Sequence, residues 1–328
     1  MVAIDLGSNT IRGGLWECDK GMVDIYEKVV RLGEGVWKEG VISPDATQRV
    51  IDAINEMKER WEFDPKTDVK AIGTEALRRA KNRNGVLAQI RRETGVRIKV
   101  IPPEREAILG ALGVERCLRV NQIGEPHHFL MVDIGGGSTE ITLKHRQGIV
   151  SRSFPIGIVK LAEEFKTPEQ IAIYLKKFRP KIREYLKTLF ATFRKPKILV
   201  GSSGTPTTLA NLKQGGNYKN YDKFRVNGTT LTQEELDYWL NKLLGMEMRK
   251  REELVGVGRG DLIGAGILIL KEILKLADYR EIVACNDGVL EGIGVDWCKK
   301  KSIETQLERL KKLREQKREK EQKNGGKV

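Results

Sequence analysis

Apolar and polar positions along the chain alternate between two periods. Val2–Leu6 is a short apolar run that breaks at Gly7-Ser8-Asn9-Thr10, and Ile11–Glu17 and Met22–Arg31 follow as further strand-like stretches. Strand, polar turn, strand is the pattern of a β-hairpin. Between Thr47 and Trp61 the apolar residues Val50, Ile51, Ile54, Met57 and Trp61 move to helical spacing, with Ser43-Pro44 as a start signal. Val69–Ile72 predicts a buried strand, Arg78–Glu93 a mostly helical stretch and Arg97–Ile101 another strand. Pro102-Pro103 then opens a helix from Glu104 to about Leu118.

Composition turns polar over Asn121–Pro126, which sets a domain boundary: residues 1–122, then 123–298, then a basic segment over 299–328. The second part opens as the first did. Phe129–Ile134 is an apolar strand running into Gly135-Gly136-Gly137-Ser138-Thr139-Glu140, and Ile141–Lys144 and Ile149–Phe154 continue as strands. The repeated unit is Ile4-Asp5-Leu6-Gly7-Ser8 against Val132-Asp133-Ile134-Gly135-Gly136, which predicts a duplicated β-rich unit facing itself across a cleft. Helices are expected from Ile156 to about Leu189. A strand at Lys197–Val200 ends in Gly201–Thr208, with a helix beginning inside that turn. Helices over Thr232–Leu244 and Gly258–Ala277, a strand at Glu281–Ala284 and a helix after Gly288 complete the second unit.

A length of 328 residues suits two domains at roughly 150 residues each. With 40% hydrophobic and 32% charged residues the chain is globular, neither disordered nor fibrous. A net charge of +14 attracts polyanions, and from Lys299 onward twelve Lys/Arg face five Glu, so about half of the excess lies in the last thirty residues. Cys18, Cys117, Cys285 and Cys298 form no C-x-x-C pair and no zinc spacing, and a chain this long needs no disulfide framework, so a reducing compartment is expected. Three His are too few and too scattered for a His/Asp metal phosphohydrolase domain. No signal peptide is visible and Leu262–Leu270, the longest apolar stretch, is too short for a membrane span, which predicts a cytoplasmic protein without membrane partners.

Three Gly/Ser/Thr-rich turns each follow an apolar strand: Asp5–Thr10, Asp133–Thr139 and Gly201–Thr208. Such turns offer backbone N–H groups and hydroxyls, and their glycines let a ligand come close. An Asp heading a phosphate-binding turn repels phosphate unless a cation lies between them, which points to Mg²⁺ (or Mn²⁺).

These segments, with Gly204-Thr205-Pro206-Thr207-Thr208-Leu209-Ala210, resemble the signature turns of the exopolyphosphatase and guanosine-pentaphosphate phosphatase family, within the actin-like ATPase superfamily. The resemblance runs from residue 2 to about 297. Gly73-Thr74-Glu75-Ala76-Leu77-Arg78 is similar to the family's Thr-x-x-x-Arg stretch, whose Arg faces phosphate. Ile101–Ala107 is similar to its catalytic loop, in which the Glu before Ala, here Glu106, orients or deprotonates the attacking water. Read from residues alone, Glu106 is an acidic side chain at a helix start. The resemblance implies an α/β fold of two duplicated actin-like (ribonuclease H-like) domains facing a central cleft. It implies hydrolysis of the terminal phosphate of inorganic polyphosphate or guanosine pentaphosphate. Asp5, Asp133 and Glu140 would hold Mg²⁺, with Asp133 and Glu106 counted as catalytic. Gly7, Ser8, Asn9, Thr10, Arg78, Gly135, Gly136, Gly137, Ser138, Gly204 and Thr205 would grip phosphate.

Three positions depart from the family pattern: Arg105 interrupts an acidic run, Lys160 stands where Arg is usual, and Leu290 replaces an Arg. Two rival classes share parts of the pattern. A small-molecule kinase of the same superfamily would use an acceptor hydroxyl in place of water, but no adenosine-binding motif is evident. A non-catalytic polyanion binder would explain the charge and leave the acidic constellation unexplained. Nucleic acid is disfavoured as partner, since aromatic content is 6% and no nucleic-acid motif stands out. A homodimer is carried as a candidate assembly. Ser302–Lys323 predicts a charged helix with Ile303, Leu307, Leu310 and Leu313 as one apolar stripe, its basic face extending a polyphosphate track.

Overall fold

The structure is a computed structural model that describes residues 1–202 and 204–303. The helix and polyphosphate track expected at Ser302–Lys323 lie outside the described residues beyond position 303.

The predicted hairpin forms from β1 (Val2–Leu6), β2 (Thr10–Glu17) and β3 (Gly21–Val29). Helix α1 (Pro44–Trp61) starts where Ser43 caps it, its side chain accepting a hydrogen bond from the Ala46 N–H, and buries Val50, Ile51, Ile54 and Met57. β4 (Val69–Gly73) and β5 (Ile98–Val100) complete a sheet of order β3-β2-β1-β4-β5. The mostly helical stretch expected over Arg78–Glu93 holds two helices, α2 (Glu75–Arg79) and α3 (Arg83–Thr94), divided where Ala80 turns extended. α4 (Pro103–Val120) follows.

β6 (Phe129–Ile134), β7 (Thr139–His145) and β8 (Gly148–Phe154) repeat the hairpin. The helices expected after them are three: α5 (Ile158–Glu164), α6 (Pro168–Lys176) and α7 (Arg179–Thr192). Pro168 and Pro180 sit in the first turns of α6 and α7, where a missing N–H costs nothing. β9 (Leu199–Ser202), α8 (Gly204–Lys213), β10 (Thr230–Thr232), α9 (Gln233–Leu244), α10 (Met248–Val255), α11 (Ile263–Leu276) and β11 (Glu281–Ala284) complete the second unit. Its sheet order is β10-β11-β9-β6-β7-β8. In each sheet the opening strand pairs antiparallel with the next strand and parallel with a later one, β1 with β4 and β6 with β9. The duplication is therefore one of topology as well as sequence, and the α/β fold of two actin-like units is the one observed.

Two helices tie the units together. α4 packs Ala111, Val114, Cys117 and Leu118 on Phe129, Met131 and Val200 of the second sheet. A last helix, α12, spans 289–303 within the described residues, and its Val289, Leu290 and Ile293 pack with Ala3 and Ile72 of the first. The helices touch through glycine. A Cβ on Gly113 would lie 2.1 Å from the Gly288 carbonyl oxygen, and one on Gly292 1.9 Å from that of Leu109.

One expectation is corrected here. Cys18 and Cys298 are joined by a disulfide across 280 residues of sequence, while Cys117 and Cys285 are free and buried. The bond forms because α12 returns to the first hairpin, where Gly294 lies under Trp16. Among the described residues no helix is long and apolar enough to cross a membrane.

Candidate active site

Each Asp-headed turn closes the same way. The Gly7 N–H donates to the Thr10 carbonyl at 3.0 Å, and the Gly135 N–H to the Ser138 carbonyl at 2.8 Å. The turns meet across the cleft: a Cβ on Gly136 would lie 2.7 Å from Ser8 Cβ. Together with the N-terminus of α8 they wall a cavity of about 800 Å³. Asp5, Gly7, Ser8, Asn9, Thr10, Glu106, Asp133, Gly135, Gly136, Gly137, Ser138, Gly204 and Thr205 all line it. Two expected residues stand behind that wall. Glu140 is buried, and its Oε1 accepts hydrogen bonds from Ser138 Oγ (2.8 Å) and Ser153 Oγ (2.6 Å). Arg78 donates through Nη1 to Glu106 Oε2 (2.7 Å) and the Ile101 carbonyl (2.9 Å), and through Nε to Glu75 (2.9 Å). Its Nη2 is buried without a hydrogen-bond partner, one donor left to offer.

Glu106 occupies the first turn of α4, where the helix dipole favours a carboxylate. Arg78 holds Oε2; Oε1 accepts no hydrogen bond among the described residues. Burial, then the charge of Glu140, pushes the Glu106 carboxyl well above its usual range against the pull of Arg78. Burial likewise raises Asp5 to about 7; Arg12 opposes the rise, and Asp133 and Glu291 add to it. Glu140 reaches about 7 through burial and Asp133, opposed by its two serine hydrogen bonds. Four carboxylates therefore repel one another in a buried space, the setting a hard cation relieves. Among the described residues no three His, Cys, Asp or Glu side chains converge closely enough to enclose a metal by themselves. That donor set suits Mg²⁺, which takes one or two carboxylates and keeps water and phosphate oxygens for its remaining positions.

The departures from the family pattern have structural partners. Arg105 pairs with Asp296 on α12. Lys160 donates to Tyr174 Oη at 3.1 Å and lies over its ring. Leu290 is fully buried among apolar side chains, so packing occupies the place of an anion contact.

Sequence reasoning missed Arg12. It is half-buried on the cavity wall beside Asp5, 3.4 Å from Glu291 and 3.5 Å from Glu27, and Glu27 is also paired with Arg259. Burial would raise the Glu27 carboxyl, but Arg259 and Arg12 outweigh it and hold the group low. A signal was present. Asp5 pairs with Arg12 across the first hairpin as Asp133 pairs with Glu140 across the second, each seven residues on. Tyr218, Tyr221, Leu254, Val255 and Ile263, which wall the far end of the cavity, were also missed and carried no such signal.

The model of the Ppx/GppA phosphatase family matches residues 21–301. Exopolyphosphatase 2 of Mycobacterium tuberculosis is 28% identical over 316 residues, covering 90% of this chain and 97% of that protein. The crystal structure of the Aquifex aeolicus member of the Ppx/GppA family superposes with a TM-score of 0.70 at 28% identity, covering 92% of this chain and 97% of that one. An exopolyphosphatase structure from Cytophaga hutchinsonii shares the fold at 24% identity, with a TM-score of 0.77 over 91% of this chain and 97% of its own.

Proposed function

The chain belongs to the Ppx/GppA phosphatase family, and on that premise we propose that it is a Mg²⁺-dependent exopolyphosphatase, removing the terminal phosphate of inorganic polyphosphate. The observation that carries the reading is Glu106: a half-buried carboxylate on the cavity wall between two phosphate-type turns, with one oxygen held by Arg78 and the other open. Glu106 Oε1 would accept the proton of a water attacking the terminal phosphorus. The bridging P–O bond breaks, orthophosphate leaves, and the chain is one phosphate shorter. Asp5 and Asp133, with Glu140 behind them, would hold Mg²⁺, which supplies charge neutralisation for the phosphoryl group. Backbone N–H groups of the matched turns and of the α8 N-terminus would position the phosphate oxygens, with Ser8, Ser138 and Thr205 hydroxyls beside them.

Guanosine pentaphosphate is the second reading, and one feature favours it. Beyond the phosphate turns the cavity is walled by Tyr218, Tyr221, Leu254, Val255 and Ile263, a surface suited to a nucleoside. We assign the protein to the cytoplasm, where a disulfide such as Cys18–Cys298 has precedent in proteins of hyperthermophiles.

Phosphate release from polyphosphate and from guanosine pentaphosphate, with Mg²⁺ or with chelator, tests the assignment on wild type and Glu106→Gln. We expect metal-dependent release, faster with polyphosphate, and a turnover lower by about a hundredfold or more in the variant while it still binds substrate. Wild-type turnover in Glu106→Gln, or undiminished release in chelator, would refute the mechanism.

A further inference from the structure

The positive charge of this chain is confined to two segments. Residues 176–197 hold nine Lys/Arg and a single acidic residue, Glu184, a net of +8; the segment from Lys299 onward holds +7. Against a total of +14, everything else is close to neutral. Residues 176–197 are the end of α6, the whole of α7 and the link to β9. Ile182, Leu186 and Leu189 of α7 are buried in the core, which turns Lys181, Arg183 and Lys187 to solvent. Five exposed cations, Lys176, Lys177, Lys181, Arg183 and Lys187, make no ion pair among the described residues, whereas Arg179, Arg194, Lys195 and Lys197 are each paired with a carboxylate. Unpaired like charges this close repel one another, a cost without return unless an anion lies across them.

The basic face lies on the side of the second sheet that Val132, Ile141 and Leu143 face, opposite to the side of Asp133 and Glu140. Tyr185 of α7 donates its hydroxyl to the Ile141 carbonyl at 3.1 Å, one residue beyond Glu140. The exposed Arg152 stands over the Tyr185 ring, 5.8 Å from its centre. Arg152 precedes Ser153 on β8, and the Ser153 hydroxyl binds Glu140 on the other face of the sheet. The face offers nothing for bases or lipid. Phe178, Tyr185, Phe190 and Phe193 are half-buried against the core, and no exposed large hydrophobic side chain falls within 176–197. Stacking platforms mark single-stranded nucleic-acid binders, and an apolar face marks interfacial helices.

We propose that the exposed face of α7, with Arg152 beside it on β8, is an exosite for inorganic polyphosphate, engaging phosphates of a long chain beyond those in the cleft. This rests on the polyphosphate reading of the cleft and adds a substrate-length preference. Short chains, which fill only the cleft, would not sense it.

The test is direct binding of long-chain polyphosphate to the full-length protein across a salt series, beside phosphate release from tripolyphosphate. The variants are Lys181→Glu/Arg183→Glu/Lys187→Glu and the charge-keeping Lys181→Arg/Lys187→Arg. In the charge-reversed protein we expect long-chain affinity about tenfold weaker and a log–log salt slope shallower by about two, three contacts at roughly 0.7 each for a single strand. Tripolyphosphate turnover should be unchanged, and the charge-keeping variant should behave as wild type. Unchanged affinity and salt slope in the charge-reversed protein would overturn the exosite, even if tripolyphosphate were hydrolysed. Equal competition by single-stranded DNA or by acidic vesicles, at matched phosphate, would overturn it in favour of a general anion surface. Failure to hydrolyse tripolyphosphate would count against the cleft reading alone, since binding on α7 is scored separately.

Discussion

In the proposed mechanism Glu106 must be basic enough to take a proton and yet ionised at the moment of attack. In the metal-free cleft its neighbours push the first property too far, because burial and Glu140 favour the protonated form. The same holds for Asp5 and Glu140, each raised to about 7 from ordinary carboxyl values of 3.8 and 4.5. A carboxyl whose folded value lies above its unfolded one stabilises the fold only while protonated, so the metal-free protein loses stability as pH rises through about 7. A divalent cation held there, as proposed, would bind the ionised form and return that stability. Thermal unfolding should therefore show a Mg²⁺-induced rise in Tm that is larger at about pH 8 than at about pH 6. A rise of equal size at both pH values, or none at all, would show that these carboxylates do not hold the ion.

At the scale of elements, the crossing of α4 and α12 joins the two units. The helices approach so closely at Gly113 and Gly292 that any side chain would meet backbone. Gly292→Ala should cost about 1–3 kcal/mol in urea unfolding, the range for overpacking a tight contact. An unchanged midpoint would mean that the crossing is looser than described. Much of the element order was legible because each strand–turn–strand unit carries its own period and its own Asp-x-Gly turn, as Asp5–Thr10 and Asp133–Thr139 do. The division at Ala80, inside a stretch expected to be mostly helical, was not, since apolar spacing continues through it. Nor was the Cys18–Cys298 bond, which depends on α12 folding back from the end of the described chain onto the first hairpin. Arg12 was hidden for a related reason. Its environment is built by Glu27, Glu291 and Arg259, which lie far apart in sequence and meet only when both units close.

Across the whole molecule, duplication has been used asymmetrically. Equivalent hairpin positions carry Arg12 in the first unit and Glu140 in the second. The first unit is thus partly neutralised from within, while the second is left with paired carboxylates that call for an external cation. The basic surface is asymmetric too, lying on α7 of the second unit and leaving the rest of the described protein close to neutral. The proposed cleft, holding a metal and a chain terminus, and the proposed exosite on α7, holding internal phosphates, would together suit a substrate shortened from one end. The most direct measurement of that claim is ³¹P NMR of long-chain polyphosphate with the protein and Mg²⁺. The account predicts growth of the orthophosphate resonance at the expense of internal phosphates, with the number of chain ends constant until chains become short. An increase in chain ends without orthophosphate, or a spectrum unchanged by active, folded protein, would contradict it.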